Sequence, residues 1–177
     1  MSRRSADPPP PYSIRPARTR DVRAILTLSE PLVDQRVLVP KDAVAYYEDI
    51  QEFLIAEDGH GEVVGFGALH VMWEDLAEVR TLATSPTTRG SGLGAALLHQ
   101  LLDRARSLGV TRVFCLTFET AFFARHGFEP LGEGQEAVDP EVYAELLRSP
   151  DEGVAEFLDL ARVKPNTLGN TRMFLTL

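Results

Sequence analysis

The chain has 177 residues, 44% of them hydrophobic, which fits one domain with a continuous core and leaves no room for two of ordinary size. A formal net charge of -8 argues against a nucleic-acid partner, so any anionic ligand must be met by local positive groups. The single cysteine, Cys115, excludes an intramolecular disulfide; set in the apolar run Val113, Phe114, Cys115, Leu116, it reads as an inert core thiol in a reducing, cytoplasmic setting.

No apolar stretch approaches the ~20 residues of a membrane span, and no apolar segment follows the amino-terminal arginines as in a signal peptide, so no membrane partner is expected. Residues 1–12 hold consecutive prolines from Pro8 to Pro11 and few apolar side chains, which predicts a disordered or polyproline II leader before a single domain over 13–177. A short strand is expected over 13–17. Thr19 then caps a helix with Val22, Ile25 and Leu26 on one face, and a second helix over 42–50 turns Val44 and Tyr47, with Tyr46 as a further candidate, inward.

Residues 53–57 and 63–72 are β-rich runs joined by Asp58, Gly59, His60 and Gly61, the pattern of a hairpin. A further strand over 76–84 stops at Ser85 and Pro86. The turn Arg89-Gly90-Ser91-Gly92-Leu93-Gly94 leads into a helix with Leu97, Leu98, Leu101, Leu102, Ala105 and Leu108 at helical spacing and Gly109 as its stop. A strand over 112–117 and a short helix over 119–126 follow. Asp139 with Pro140 starts another helix, Ser149, Pro150 and Glu152 form a capping-box start for the next, and residues 171–177 close the chain as a strand.

The order strand, glycine turn, helix, strand carries the chemistry. Three glycines ahead of a helix aim backbone N–H groups at one point beside the positive end of the helix dipole, which makes an anion cradle. It lacks the Gly-Lys-Ser/Thr ending of a Walker A loop and the acidic partner of a dinucleotide fold, and a plain tight turn is the alternative.

Val79-Arg80-Thr81-Leu82-Ala83-Thr84-Ser85-Pro86, followed by Arg89-Gly90-Ser91-Gly92-Leu93-Gly94, resembles the acetyl-CoA motif of the GNAT family of N-acetyltransferases: Arg or Gln, two residues, Gly, one residue, Gly or Ala. Phe122-Phe123-Ala124-Arg125-His126-Gly127-Phe128 looks like the second signature of that family. The stretches Gly67 to His70, Leu116 to Thr120 and Lys164 to Met173 are similar, within it, to the short stand-alone N-acetylglutamate synthases of actinobacteria, which open arginine biosynthesis. The resemblance implies an α/β (α+β) fold with a mixed central sheet of six to seven strands flanked by helices on both faces. It also implies acetyl-CoA as co-substrate, no metal and glutamate, or also glutamine, as acceptor. The longer synthases carry an amino-acid-kinase domain for which this chain has no room, so the resemblance leaves regulation by arginine open.

By the same resemblance, Leu82 and Ala83 present backbone N–H groups to the thioester and pantetheine, and Arg89, Gly90, Ser91, Gly92, Leu93 and Gly94 hold the diphosphate. Glu78 is the candidate base and Thr117 a hydroxyl near the sulfur; a salt-bridged strand carboxylate and a β-branched strand residue are the alternatives. Many family members have a tyrosine where this chain has Phe123, which cannot donate a proton and is expected to wall the pantetheine. An acceptor with carboxylates calls for cations and amides, for which Lys41, Arg80, Thr81, Lys164, Asn166, Asn170 and Arg172 are candidates. The four histidines show no metal-ligand spacing. A homodimer is expected from the frequency of two-fold symmetry. An acetyltransferase for another amine and a non-catalytic acyl-CoA sensor are the competing readings.

Overall fold

The computed structural model describes residues 11–132, 137–158 and 169–177. Seven strands form one mixed sheet in the order β1-β2-β3-β4-β5-β7-β6. These are β1 (Tyr12–Pro16), β2 (Phe53–Asp58), β3 (Val63–Trp73), β4 (Leu76–Thr84), β5 (Arg112–Thr117), β6 (Glu129–Pro130) and β7 (Thr171–Thr176). The helices are α1 (Val22–Asp34), α2 (Ala43–Glu48), α3 (Leu93–Ser107), α4 (Thr120–Ala124), α5 (Pro140–Leu146) and α6 (Glu152–Phe157). All neighbouring strands pair antiparallel except β4 and β5, which α3 joins as a parallel crossover.

Alternation along β4 sends side chains to two layers. Ala77 and Val79 join Leu69, Val113 and Cys115 beneath Leu97, Leu98, Leu101, Leu102 and Ala105 of α3. On the opposite face, Val22 and Ile25 of α1 and Tyr46 of α2 pack on Phe53, Ile55, Phe66, Ala68 and Ala83. Farther along that face a third cluster joins Leu146 of α5 and Val154 and Phe157 of α6 to Leu76 and Phe114, with the Phe114 and Phe157 rings 4.4 Å apart.

Several expectations shift in detail. Tyr12, assigned to the leader, already pairs with Asp58 in β1. Thr19 does not cap α1: a 3-10 turn over Thr19–Asp21 precedes it, where the Asp21 carboxylate accepts the Arg18 N–H at 2.7 Å and the Arg15 guanidinium at 2.7 and 2.9 Å. On α2 the inward residue is Tyr46, whereas Val44 and Tyr47 are 60% and 45% exposed. In a six-residue helix only one side chain reaches the space between α1 and Phe53, and Tyr46 fills it. Leu108 lies past the end of α3 and is 55% exposed. Ser149 does not cap α6; Asp151 does, its Oδ1 accepting the Val154 N–H at 3.0 Å. The two-residue strand β6 is too short to leave an alternation in the sequence.

Leu97 is fully buried between α3 and the sheet, so Leu97→Ala is expected to lower unfolding free energy by about 2–5 kcal/mol in a urea titration. Asp151 supplies a pH-dependent share of stability. Burial alone would push its carboxyl up, but the Arg80 guanidinium and the Val154 N–H hold it down at about 2, against an ordinary 3.8. A depressed carboxyl stabilises the fold above its unfolded pKa and loses that contribution as pH falls through its folded one. Asn caps a helix as well as Asp does. The difference in urea midpoint between the wild type and Asp151→Asn should therefore be present at neutral pH and vanish as pH falls from about 4 to about 2.

Candidate active site

The site is an opening in the sheet. β4 and β5 pair in register only at Leu76 with Arg112, Ala77 with Val113 and Glu78 with Phe114. Beyond Glu78 they have no paired residues. The cause lies on the other edge of β4: Phe66 pairs with Ala83 and Ala68 with Arg80, so three steps on β4 oppose two on β3, and Thr81 takes a φ of 56°. Such a bulge bends its strand, here away from β5. The resulting cleft holds about 1090 Å³ and is lined by residues 78–86 of β4 and its following turn, residues 115–119 of β5 and its end, and the head of α3.

At one end of the cleft lies the glycine turn. Gly90 and Gly92 have φ of 82° and 78°, a region costly to residues with a Cβ, and Gly92 is the N-cap of α3. The first turn of α3 contains no acidic residue, so no carboxylate on that turn opposes an anion at the positive end of the helix. The Ser91 hydroxyl accepts the Leu93 N–H at 3.4 Å, which leaves Leu93 a packed anchor rather than a free donor. The Phe122 ring stands over Gly94, 3.6 Å from where a Cβ would be. Phe123 is buried, edge-on to Phe122 and Phe128 at 5.1 and 5.2 Å, as part of the cleft wall. Arg89 lies at the mouth, as does Arg125, which the sequence reading did not single out.

Midway along the cleft, Glu78, Arg80 and Thr117 are the buried polar groups. Arg80 Nε donates to Glu78 Oε2 at 2.8 Å, and its Nη1 and Nη2 donate to the two oxygens of Asp151 at 3.0 and 3.1 Å. Arg80 therefore lines the cleft with its guanidinium already engaged. Glu78 Oε1 has no hydrogen bond among the described residues. Opposite Glu78 in the ladder, His70 Nδ1 lies 2.6 Å from Glu52 Oε1. Thr117 Oγ1 accepts the Glu119 N–H at 2.8 Å, which leaves its own O–H to donate elsewhere. Burial and the charge of Glu78 push the Cys115 thiol well up, as an inert thiol requires.

Thr81, Lys41 and Asn170 also line the cleft. Lys41 Nζ lies 4.0 Å from Asp49, and Asn170 donates to Glu156, itself a lining residue. Arg172 sits on β7 opposite Leu116 and donates to the Phe157 carbonyl at 3.0 Å, outside the lining. Lys164 and Asn166 fall outside the described residues. Asp151, Gly153 and Glu156 were not singled out from the sequence; they are brought here only by the docking of α6. Among the described residues no group of three or more His, Cys, Asp and Glu could hold a metal, and no helix is long and apolar enough to cross a membrane.

Comparison with known proteins agrees with this geometry. An amino-acid acetyltransferase of Mycobacterium tuberculosis is 54% identical over 166 residues, covering 93% of this chain and 94% of that protein. A crystal structure of a Mycobacterium tuberculosis protein in complex with CoA superposes with a TM-score of 0.87 at 52% identity, covering 93% of this chain and 99% of that one. The N-acetylglutamate synthase of Neisseria gonorrhoeae, crystallised with coenzyme A and N-acetyl-glutamate, gives a TM-score of 0.74 at 26% identity; the match covers 94% of this chain and 35% of the synthase. The model of the acetyltransferase (GNAT) family matches residues 20–128, and the chain belongs to that family.

Proposed function

We propose that this protein transfers the acetyl group of acetyl-CoA to the α-amino group of L-glutamate, the reaction that opens arginine biosynthesis, in the cytoplasm. The observation that carries the reading is the meeting, across one opening in the sheet, of a glycine-lined anion cradle at the head of α3 and the buried carboxylate of Glu78. The amino-acid acetyltransferase named above, 54% identical over nearly its whole length, supports the choice of acceptor.

In this reading the free N–H groups along the turn and the dipole of α3 hold the diphosphate, with Arg89 as counter-charge. Leu82 and Ala83, on the stretch of β4 that has no partner in β5, offer backbone N–H groups to the pantetheine arm and the thioester carbonyl. Glu78 Oε1 takes the proton from the ammonium. The neutral nitrogen then attacks the thioester carbon, an N–C bond forms, the C–S bond breaks, and the electron pair leaves on sulfur. Phe123 cannot protonate that thiolate. The Thr117 hydroxyl, its oxygen fixed by the Glu119 N–H, can give the sulfur a hydrogen bond, and the second proton that the nitrogen sheds on becoming an amide goes to the thiolate, which leaves as the thiol. Lys41, Asn170, Lys164, Asn166 and Arg172 remain the proposed acceptor groups, with Thr81 at the bulge; Arg80 acts on the acceptor only through the charge it shares with Glu78 and Asp151. Glutamine is the second acceptor in the proposal, because the Glu156 carboxylate and the Asn170 amide offer an acceptor and a donor to a side-chain amide. A two-fold homodimer is proposed as the assembly.

Thiol release from acetyl-CoA against glutamate, glutamine, aspartate, ornithine, lysine and spermidine tests the reading. Turnover confined to glutamate and glutamine is expected. Turnover with the cationic amines alone would replace the acceptor, and acetyl-CoA binding without turnover on any amine would make the protein a sensor. Arg172→Ala should raise the apparent KM for glutamate and leave that for acetyl-CoA unchanged; an unchanged glutamate KM removes Arg172 from the pocket. Thr117→Val should lower kcat about tenfold or more.

A further inference from the structure

Asp151 has no part in the reaction outlined above, yet it is tied to the groups that do. It stands at the junction of α6 with the sheet, where one of its oxygens caps the helix and both take the fork of Arg80. The plane of the guanidinium is thereby set from the α6 side. Its Nε–H points at Glu78 Oε2 and at no other acceptor among the described residues. The first turn of α6 also presses on this group: a Cβ at Gly153 would lie 2.9 Å from Glu78 Oε2, 3.0 Å from Asp151 Oδ1 and 3.3 Å from Arg80 Nη2. A side chain there would have to displace the carboxylate or the fork, so Gly153 is needed for the approach.

We infer that Asp151 is a positioning residue for the base: by holding Arg80 in a two-point contact at the head of α6, it fixes the tilt at which the guanidinium meets Glu78, through Oε2 alone, and keeps Glu78 Oε1 available to the amine. The inference rests on the reading of Glu78 as base. Its physical ground is the geometry of the guanidinium, whose fork matches a carboxylate in a bidentate contact. With Asp151 in place the Nη1–Nη2 edge is occupied and the plane of the guanidinium is held, so that its other edge meets Glu78 through Nε and Oε2 alone. Without it the guanidinium is free to turn, and closing its Nε–Nη2 edge on Glu78 would engage both carboxylate oxygens, leaving neither to take a proton.

The test compares kcat and both KM values, by thiol release with glutamate, for Asp151→Ser, Asp151→Asn, Asp151→Glu and Glu78→Gln, and for Glu78→Gln combined with Asp151→Ser. Ser and Asn both retain a cap for α6, so the helix start is preserved and the two serve as checks on each other's folding. The expected result is a fall in kcat of about tenfold or more for Asp151→Ser and Asp151→Asn, with KM for acetyl-CoA within about twofold of the wild type. Asp151→Glu should recover part of the loss. In the double variant, Asp151→Ser should cost nothing further, because its effect runs through a carboxylate already removed. Wild-type kcat in the Ser and Asn variants, or a loss that multiplies onto that of Glu78→Gln, overturns the inference while leaving the base in place. Wild-type kcat in Glu78→Gln overturns the reading of the base, and the inference with it.

Discussion

The fold depends on a mismatch between the two edges of β4. On one edge it must follow β3 through a long antiparallel ladder; on the other it runs parallel to β5. Three residues of β4 are spent where β3 spends two, and Thr81 takes up the excess in a left-handed conformation. A β-branched residue pays about 1–3 kcal/mol for such a backbone, which the flanking ladder can supply because Leu69, Val79, Phe66 and Ala83 are buried on either side. The bend opens the sheet after Glu78. Backbone donors that a continuous sheet would have used are thereby left for a ligand.

The second constraint is the seam between two apolar clusters on one face of the sheet. The α1 and α2 cluster ends near Ala68 and Ala83, and the α5 and α6 cluster begins at Leu76 and Phe114. Glu78 and Arg80 lie between them, and a buried charge there is tolerable only when paired. Asp151 completes the pairing from α6. The network that satisfies the buried charges also fixes Glu78, the base in the proposed reaction, so removing one partner is expected to disturb stability and chemistry together.

Much of this was legible in the sequence because its signals are local. The glycine turn, the apolar spacing of α3 and the hairpin of β2 and β3 each lie within one short window, and each stands where it was expected. Glu78 and Thr117 fell on the two strands that border the opening, and both are buried and line it. Tertiary contacts account for the rest. Tyr46 displaced Val44 and Tyr47 as the inward face of α2 because the space it fills is defined by α1 and Phe53. Arg80 looked like a substrate cation, but its partner Asp151 lies 71 positions away, a pairing no local pattern announces. The bulge at Thr81 was equally silent, since it arises from the register of two strands rather than from a turn residue.

The central claim is that the unpaired stretch of β4 and the glycine turn receive acetyl-CoA. Amide hydrogen exchange, followed by mass spectrometry with and without saturating acetyl-CoA, reads it directly. Protection is predicted for peptides spanning residues 82–94 and 117–123, with Leu26, Val33 and Tyr46 of the adjoining groove unchanged. Protection confined to that groove, or none on the turn from Arg89 to Gly94, would contradict the account.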